Sequence, residues 1–174
     1  MDAGEFLSIE RNRDLAGRDV GPWVRRFVVA ALLAVAILAL LNVFGQEPST
    51  STASGPEASL DLFSPKSIRG GLLFEARFTV RALGRDLKEP KLVLAPGWLE
   101  SMTLNTVEPA AKAEHTDNGR IVLEYDLIPA GRRLVVWLMF QANPTNLGTQ
   151  RQDVDLFDGS TRLLGITRSI TVFP

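Results

Sequence analysis

The chain has 174 residues and a formal net charge of −1, a length that suits one ordinary domain with additional segments. It contains no cysteine and a single histidine. Disulfides, thiolate metal sites and cysteine nucleophiles are therefore excluded, as is any site that needs two imidazole groups. The balanced charge gives no reason to expect a nucleic-acid partner.

An apolar segment near the N-terminus predicts a membrane span. The sequence is apolar without interruption from Phe27 to Leu41, and Trp23 and Phe44 extend the segment to residues 23–44. A helix of this length covers about 33 Å, which is enough to cross a hydrocarbon layer of ~30 Å. A cleaved signal peptide is the alternative, because it also carries an apolar core. Bulky Phe44, where a cleavage site requires small residues, favours a retained anchor.

The distribution of basic residues predicts the orientation of this span. Arg25 and Arg26 stand at its start and three further arginines precede them, whereas no lysine or arginine follows until Lys66. Cytoplasmic flanks carry the excess of basic residues, so residues 1–22 are predicted to be a cytoplasmic tail. Trp23 suits the interface, and the two arginines can extend to the headgroups. The C-terminal region is then extracytoplasmic.

The segment after the span predicts a spacer. Residues 45–58, GQEPSTSTASGPEA, are rich in serine, threonine, proline and glycine and contain no large apolar side chain. Such a segment cannot bury enough apolar surface to order itself. We therefore expect a flexible linker between the membrane and the next domain.

The hydrophobic period changes in residues 59–174. Apolar and polar residues alternate from Phe74 to Ala82 and again from Ile121 to Leu127, which is typical of strands with one solvated face. The run RLVVWLMFQA is apolar throughout and predicts a central strand covered on both sides. Asp158 and Gly159 predict a hairpin turn. Seven or eight short strands without a strong helix favour an all-β antiparallel sandwich.

Two longer stretches carry a resemblance to a known class of domain. The sequences RGGLLFEARFTVRA and NGRIVLEYDLIPAGRRLVVWLMFQ, with the IPAG turn between strands, look like bacterial surface immunoglobulin-like modules. The whole chain resembles bacterial single-pass membrane proteins with an extracytoplasmic immunoglobulin-like domain. The resemblance implies an immunoglobulin-like sandwich, and YetF-like membrane proteins are loosely associated with it as neighbours.

No catalytic or metal-binding pattern emerges from the polar residues. His115 lies in a polar stretch, where a solvated loop histidine is the expected reading. Asp153 and Asp155 match the first two positions of a calcium loop, but Phe157 occupies the position of the third acid. Alternation instead places both aspartates on the wet face of a strand. We expect no catalytic residue, no metal and no cofactor.

Two tryptophans and two arginines are the candidates for contact with a ligand or partner. Trp137 lies inside the apolar run, so we expect it to pack in the core. Trp98 follows Pro96 and Gly97 and is the freer candidate for contact, but a core or sheet-edge position is the favoured interpretation. Arg132 and Arg133 follow the IPAG turn and could contact an anionic partner, or simply be solvated.

The sequence thus predicts a membrane-anchored, non-enzymatic interaction or accessory protein. Its predicted partners are the bilayer and either another membrane protein, such as a YetF-like one, or an envelope component. The alternative function is a cell-wall glycan-binding module, in which a tryptophan stacks on sugar rings.

Overall fold

The computed structural model describes residues 20–41, 46–100 and 102–174. The first of these ranges is a helix, α1 (Val20–Leu40), whose side chains from Gly21 onward are exposed. Residues 21–40 have a mean hydropathy of 2.1 and are long and apolar enough to cross a membrane. A signal sequence would meet the same criterion. Phe44 and residues 1–19 of the predicted tail lie outside the described residues.

The remaining residues form a second unit that is dominated by strands. A 3₁₀ turn, Pro96–Trp98, lies between two of the strands. The strands are β1 (Thr50–Ser54), β2 (Ala58–Phe63), β3 (Ser67–Arg69), β4 (Leu73–Ala82), β5 (Pro90–Leu94), β6 (Met102–Glu108), β7 (Ala113–Asp117), β8 (Arg120–Glu124), β9 (Arg133–Ala142), β10 (Gly148–Arg151), β11 (Val154–Asp158), β12 (Thr161–Ile166) and β13 (Ser169–Phe173).

Three sheets arrange these strands into a sandwich. One five-stranded sheet has the order β1-β2-β4-β9-β6, and the other has the order β12-β11-β5-β8-β7. A small sheet, β10-β13-β3, contains the parallel pair β3–β13, while every other pairing is antiparallel. The predicted all-β antiparallel sandwich preceded by one apolar helix is confirmed, and its immunoglobulin-like class stays a prediction. The predicted number of strands is too low, because several strands have only three to five residues.

The segment predicted to be a flexible linker is partly a strand. Thr50–Ser54 forms β1 and pairs along its whole length with β2. The order begins still earlier, because the backbone N–H of Lys66 donates to the carbonyl of Glu47 at 2.9 Å. The linker prediction is therefore wrong over Thr50–Ser54, which form a strand. Pairing with a neighbouring strand satisfies the backbone of this segment, even though its side chains are small and polar.

The core lies between the two large sheets and is rich in aromatic side chains. Trp98 is fully buried, with its ring centroid 5.7 Å from Phe78 and 5.1 Å from Phe140. Alternate residues of the strands complete this core, including Leu60, Leu123 and many smaller side chains. The burial of alternate residues leaves the other side of each large sheet available to solvent.

The long strand β9 corrects one expectation of the sequence. It lies between β4 and β6, as a central strand should, but only one of its faces is in the core. Val136, Leu138 and Phe140 are completely buried, whereas Trp137 between them is 40% exposed. The apolar run therefore has a buried side and an accessible side, and it is not covered on both.

Candidate interaction face

The accessible side of the first large sheet brings aromatic and basic side chains together. We call it the aromatic face and define it by the outward residues of β1, β2, β4 and β9: Thr50, Asp61, Phe63, Arg77, Thr79, Arg81, Arg133, Val135 and Trp137. These residues line one open depression of about 680 Å³. The period-2 alternation of the strands places them all on the same side of the sheet.

Strand register aligns the aromatic side chains in one row across this face. Thr50 lies opposite Phe63, Phe63 opposite Arg77, and Arg77 opposite Trp137. The guanidinium carbon of Arg77 lies 5.0 Å from the centroid of the Phe63 ring, which is cation–π distance. A strip of aromatic and guanidinium surface therefore crosses three adjacent strands, β2, β4 and β9, and Thr50 of β1 extends the row by one polar side chain.

The arginines of this face, and Arg132 beside it, have no acidic partner among the residues that the structure describes. Arg77, Arg81, Arg132 and Arg133 are exposed, and none forms an ion pair with a residue in the described ranges. Most arginines elsewhere in the sandwich are held in ion pairs. The face therefore presents cationic groups that the fold itself does not neutralise.

The outer side of the second large sheet is built differently. We call it the ion-paired face, because Asp155 on β11 pairs with Arg120 at 2.7 Å and with Arg162 at 2.8 Å. Lys91 and Glu124, directly opposite each other on β5 and β8, pair at 2.8 Å. The Lys91 hydrogen bond lowers the pKa of Glu124, and the same bond raises the pKa of Lys91. This face neutralises its own charges.

The structure places Trp98 in the core and Trp137 on the surface, and only the position of Trp137 is opposite to the favoured expectation. Trp98, the predicted contact residue, has no exposed surface, and its indole N–H donates to the carbonyl of Asp153 at 3.2 Å. The contact prediction for Trp98 is therefore wrong, and the favoured core interpretation is right. Trp137, the predicted core residue, lies on the aromatic face. The signal for this was the phase of β9, in which Arg133 and Gln141 share the side of Trp137.

The remaining predicted contact and anchor residues are placed as follows. Arg132 and Arg133 are exposed where β9 begins, at the edge of the aromatic face. Along α1, the guanidinium of Arg26 lies 5.4 Å from the ring of Trp23. Arg25, Phe27 and Leu41 are exposed at that helix or immediately after it.

The polar residues considered for chemistry are dispersed. His115 is exposed on the edge strand β7, and Asp153 pairs with Arg151 while Asp155 pairs with Arg120 and Arg162. Within residues 20–41, 46–100 and 102–174, no group of three or more histidine, aspartate and glutamate side chains could share a metal ion.

Comparison with known proteins gives structural likenesses only. No protein-family model matches the chain, and no curated protein matches it by sequence. A chain of the CaDoc0917–CaCohA2 complex is 15% identical with a TM-score of 0.42, covering 62% of this chain and 94% of that one.

Two further solved structures are similar at the same level. A non-cellulosomal cohesin from Archaeoglobus fulgidus is 7% identical with a TM-score of 0.41, covering 74% of this chain and 92% of its own. The GAE domain of GGA2p from Saccharomyces cerevisiae is 12% identical with a TM-score of 0.39, covering 73% and 97%. The resemblance to bacterial single-pass membrane proteins and to YetF-like neighbours stays a prediction.

Proposed function

We propose that the chain is a membrane-anchored, non-enzymatic interaction protein that docks another protein on the aromatic face. The proposal rests on the row Phe63–Arg77–Trp137. In this row the tryptophan, which is 40% exposed, lies opposite an arginine whose guanidinium stacks on a second aromatic ring. Tryptophan and arginine are the residue types most enriched among those that dominate binding energy at protein interfaces. The opposite, ion-paired face lacks this composition.

The anchor in this proposal is α1, and the sandwich is extracytoplasmic. The support is the length and apolarity of residues 21–40 together with the arginines before them. The partner would then be another membrane protein or an envelope component.

The anchor and its orientation can be tested with single cysteines, because the chain has none of its own. We expect a membrane-impermeant maleimide to label Ser169→Cys in intact cells and to label Ser8→Cys only after lysis. Detection of peptides from residues 1–19 in the membrane-extracted protein would show that the anchor is retained. Labelling of both positions in intact cells, or loss of the N-terminal peptides, would contradict the proposal.

Docking can be tested by placing a photo-crosslinking amino acid on each large sheet. We expect positions Thr79 and Met139, beside Trp137, to give the same discrete crosslinked partner in cells. His115, exposed on β7, is the matched control position and should not give it. Trp137→Ala should abolish the crosslink from Thr79 while leaving the amount of protein in the membrane unchanged. Equal crosslinking from both sheets would contradict the assignment.

Glycan binding is the second candidate function, and the exposed ring of Trp137 favours it. Aspartate and threonine side chains, Asp61 and Thr79, line the same depression as this ring and could hydrogen-bond to sugar hydroxyls. Aromatic faces pack well against the apolar faces of sugars. Titration of the full chain with soluble peptidoglycan fragments distinguishes the two functions. Saturable binding that Trp137→Ala removes, with no protein crosslink, would favour the glycan function.

A further inference from the structure

Two arginines face each other directly at one corner of the aromatic face. Arg81 on β4 and Arg133 on β9 are cross-strand partners in the antiparallel register. The adjacent turn is fixed to β4, because Gly131 N–H donates to the Ala82 carbonyl at 2.9 Å and Ala82 N–H donates to the Arg132 carbonyl at 3.1 Å. We call Arg81, Arg132 and Arg133 the arginine corner. With Gly131, they line an open depression of about 410 Å³.

Folding does not account for this arrangement. Like charges directly opposite on neighbouring strands destabilise a sheet, whereas opposite charges stabilise it. The ion-paired face follows that rule, since Lys91 lies opposite Glu124. The arginine corner breaks it, although a single substitution to glutamate would turn the repulsion into an attraction.

Acidic residues lie near the corner but none neutralises it. Asp86 accepts a hydrogen bond from the N–H of Ala130 at 2.7 Å, and Asp126 pairs with Lys112 at 3.5 Å. Asp61 lies on the aromatic face, opposite Thr79 in the register. No carboxylate of the described residues reaches the three corner guanidinium groups within ion-pair distance.

We propose that the partner docks an acidic segment on the arginine corner and an apolar side chain on Trp137. This inference rests on the proposed docking function and specifies the chemistry of the partner. Arg133 and Trp137 are four residues apart on the same side of β9, which corresponds to about 13 Å. An extended segment with adjacent acidic residues and an apolar residue about four positions away spans that distance. Its carboxylates replace the intramolecular partners that the corner lacks.

The test measures binding of a defined peptide to the full chain in a nanodisc of zwitterionic lipid. The labelled peptide contains two adjacent glutamates, three serines and a leucine, and the comparison peptides replace the glutamates by glutamine or lysine. We expect saturable binding of the glutamate peptide only, and weaker binding as salt rises. Arg81→Gln and Arg133→Gln should each weaken it about tenfold. Arg162→Gln on the ion-paired face is the matched control and should leave binding unchanged.

A stability measurement separates binding from folding. Arg133→Glu should abolish peptide binding and also raise the Tm by about 1–4 °C, because it places opposite charges across β4 and β9. If the arginine corner only stabilised the fold, Arg133→Glu would instead lower the Tm. Such a result would overturn the proposal.

The remaining outcomes separate this proposal from the docking function. Equal binding of the glutamate and glutamine peptides, both lost in Trp137→Ala, would overturn the acidic segment and leave docking on the aromatic face intact. If none of these variants loses binding of any peptide, both the acidic segment and docking on the aromatic face are overturned. Tighter binding of phosphatidylglycerol vesicles than of the glutamate peptide, lost in the same arginine variants, would show a lipid ligand and overturn the proposal.

Discussion

The outer sides of the two large sheets are both exposed to water, but their charged side chains are arranged differently. Each sheet must expose one face to water while its other face packs in the core. The ion-paired face does so with cross-strand pairs such as Lys91–Glu124, and Asp155 bridges two arginines. The aromatic face leaves its arginines unpaired and exposes Trp137. The paired charges of the ion-paired face support the fold, whereas the unpaired arginines of the aromatic face are the basis of the docking proposal.

Gly165 shows how far the ion-paired face is adapted to its charges. A Cβ atom at this position would lie 2.1 Å from a guanidinium nitrogen of Arg162 and 2.6 Å from a carboxylate oxygen of Asp155. The absence of a side chain thus lets Arg162 lie across the strand to reach its partner.

The largest expected effect separates the core tryptophan from the one on the aromatic face. Trp98→Ala should lower the free energy of unfolding by about 3–5 kcal/mol, because it leaves a cavity between Phe78 and Phe140 and removes the indole hydrogen bond to Asp153. Thermal unfolding of the full chain in detergent, followed by circular dichroism in the β-sheet band, measures the change. A Tm within a few degrees of the parent would contradict the burial of Trp98.

Sequence periodicity was sufficient for the fold class and the apolar helix. Alternation from Phe74 to Ala82 appears in the structure as β4, with the alternating burial that the pattern predicts. The hairpin signal at Asp158 and Gly159 also holds, since β11 and β12 pair across it and Gly159 has a positive φ of 62°. Local signals of this kind act within a few residues and can be read directly.

Sequence periodicity failed where burial depends on distant partners. Every residue between Arg133 and Gln141 is apolar, so alternation within that run could not show which side would be left without a covering layer, and only these two flanking polar residues share the phase of Trp137. β1 was missed because its small polar residues gain their order from pairing with β2. The bond from Arg85 to Asp158, at 2.6 Å, joins residues 73 positions apart, and no local pattern predicts it. The arginine corner likewise emerges only from the register of β4 and β9.

A moderate effect is expected from removing the shared carboxylate of the ion-paired face. Asp155→Asn should lower the stability by about 1 kcal/mol, because both Arg120 and Arg162 lose an ion-pair partner at a largely exposed surface. Asp61→Asn on the aromatic face is the matched control and should change stability by a few tenths of a kcal/mol or less. Chemical denaturation of both variants tests the comparison. Equal losses would show that the two faces do not differ in this way.

A smaller effect should appear as pH dependence on the ion-paired face. The Lys91 hydrogen bond lowers the pKa of Glu124 below its usual value of 4.5, so the folded state favours the ionised carboxylate. This contribution is fully present above the pKa of the unfolded chain and is lost as pH falls through the folded-state pKa. Below about pH 4.5, the free energy of unfolding should therefore fall less steeply with pH in Glu124→Gln than in the parent. Chemical denaturation at a series of pH values from neutral downward measures this slope.

Lys91→Met provides the reciprocal control for this pH effect. It removes the donor that lowers the pKa of Glu124, so the acid-dependent part of the profile should shrink as it does in Glu124→Gln. A profile in Lys91→Met identical to that of the parent would show that the pair does not set the pH dependence.

The smallest effect on stability is expected at Trp137. Its ring is 40% exposed and lies over no second layer of the described protein, so Trp137→Ala leaves no enclosed cavity and should cost about 1 kcal/mol or less. Its accessibility can be measured in a chain that carries Trp23→Phe and Trp98→Phe, in which Trp137 is the remaining tryptophan and can be excited selectively. Iodide should quench this fluorescence more efficiently than caesium ions do, because Arg77 and Arg133 attract the anion to the face. Raising the ionic strength with a non-quenching salt should reduce the difference. A Tm loss as large as that of Trp98→Ala, together with fluorescence that neither ion quenches, would mean that the aromatic face is buried in the working protein.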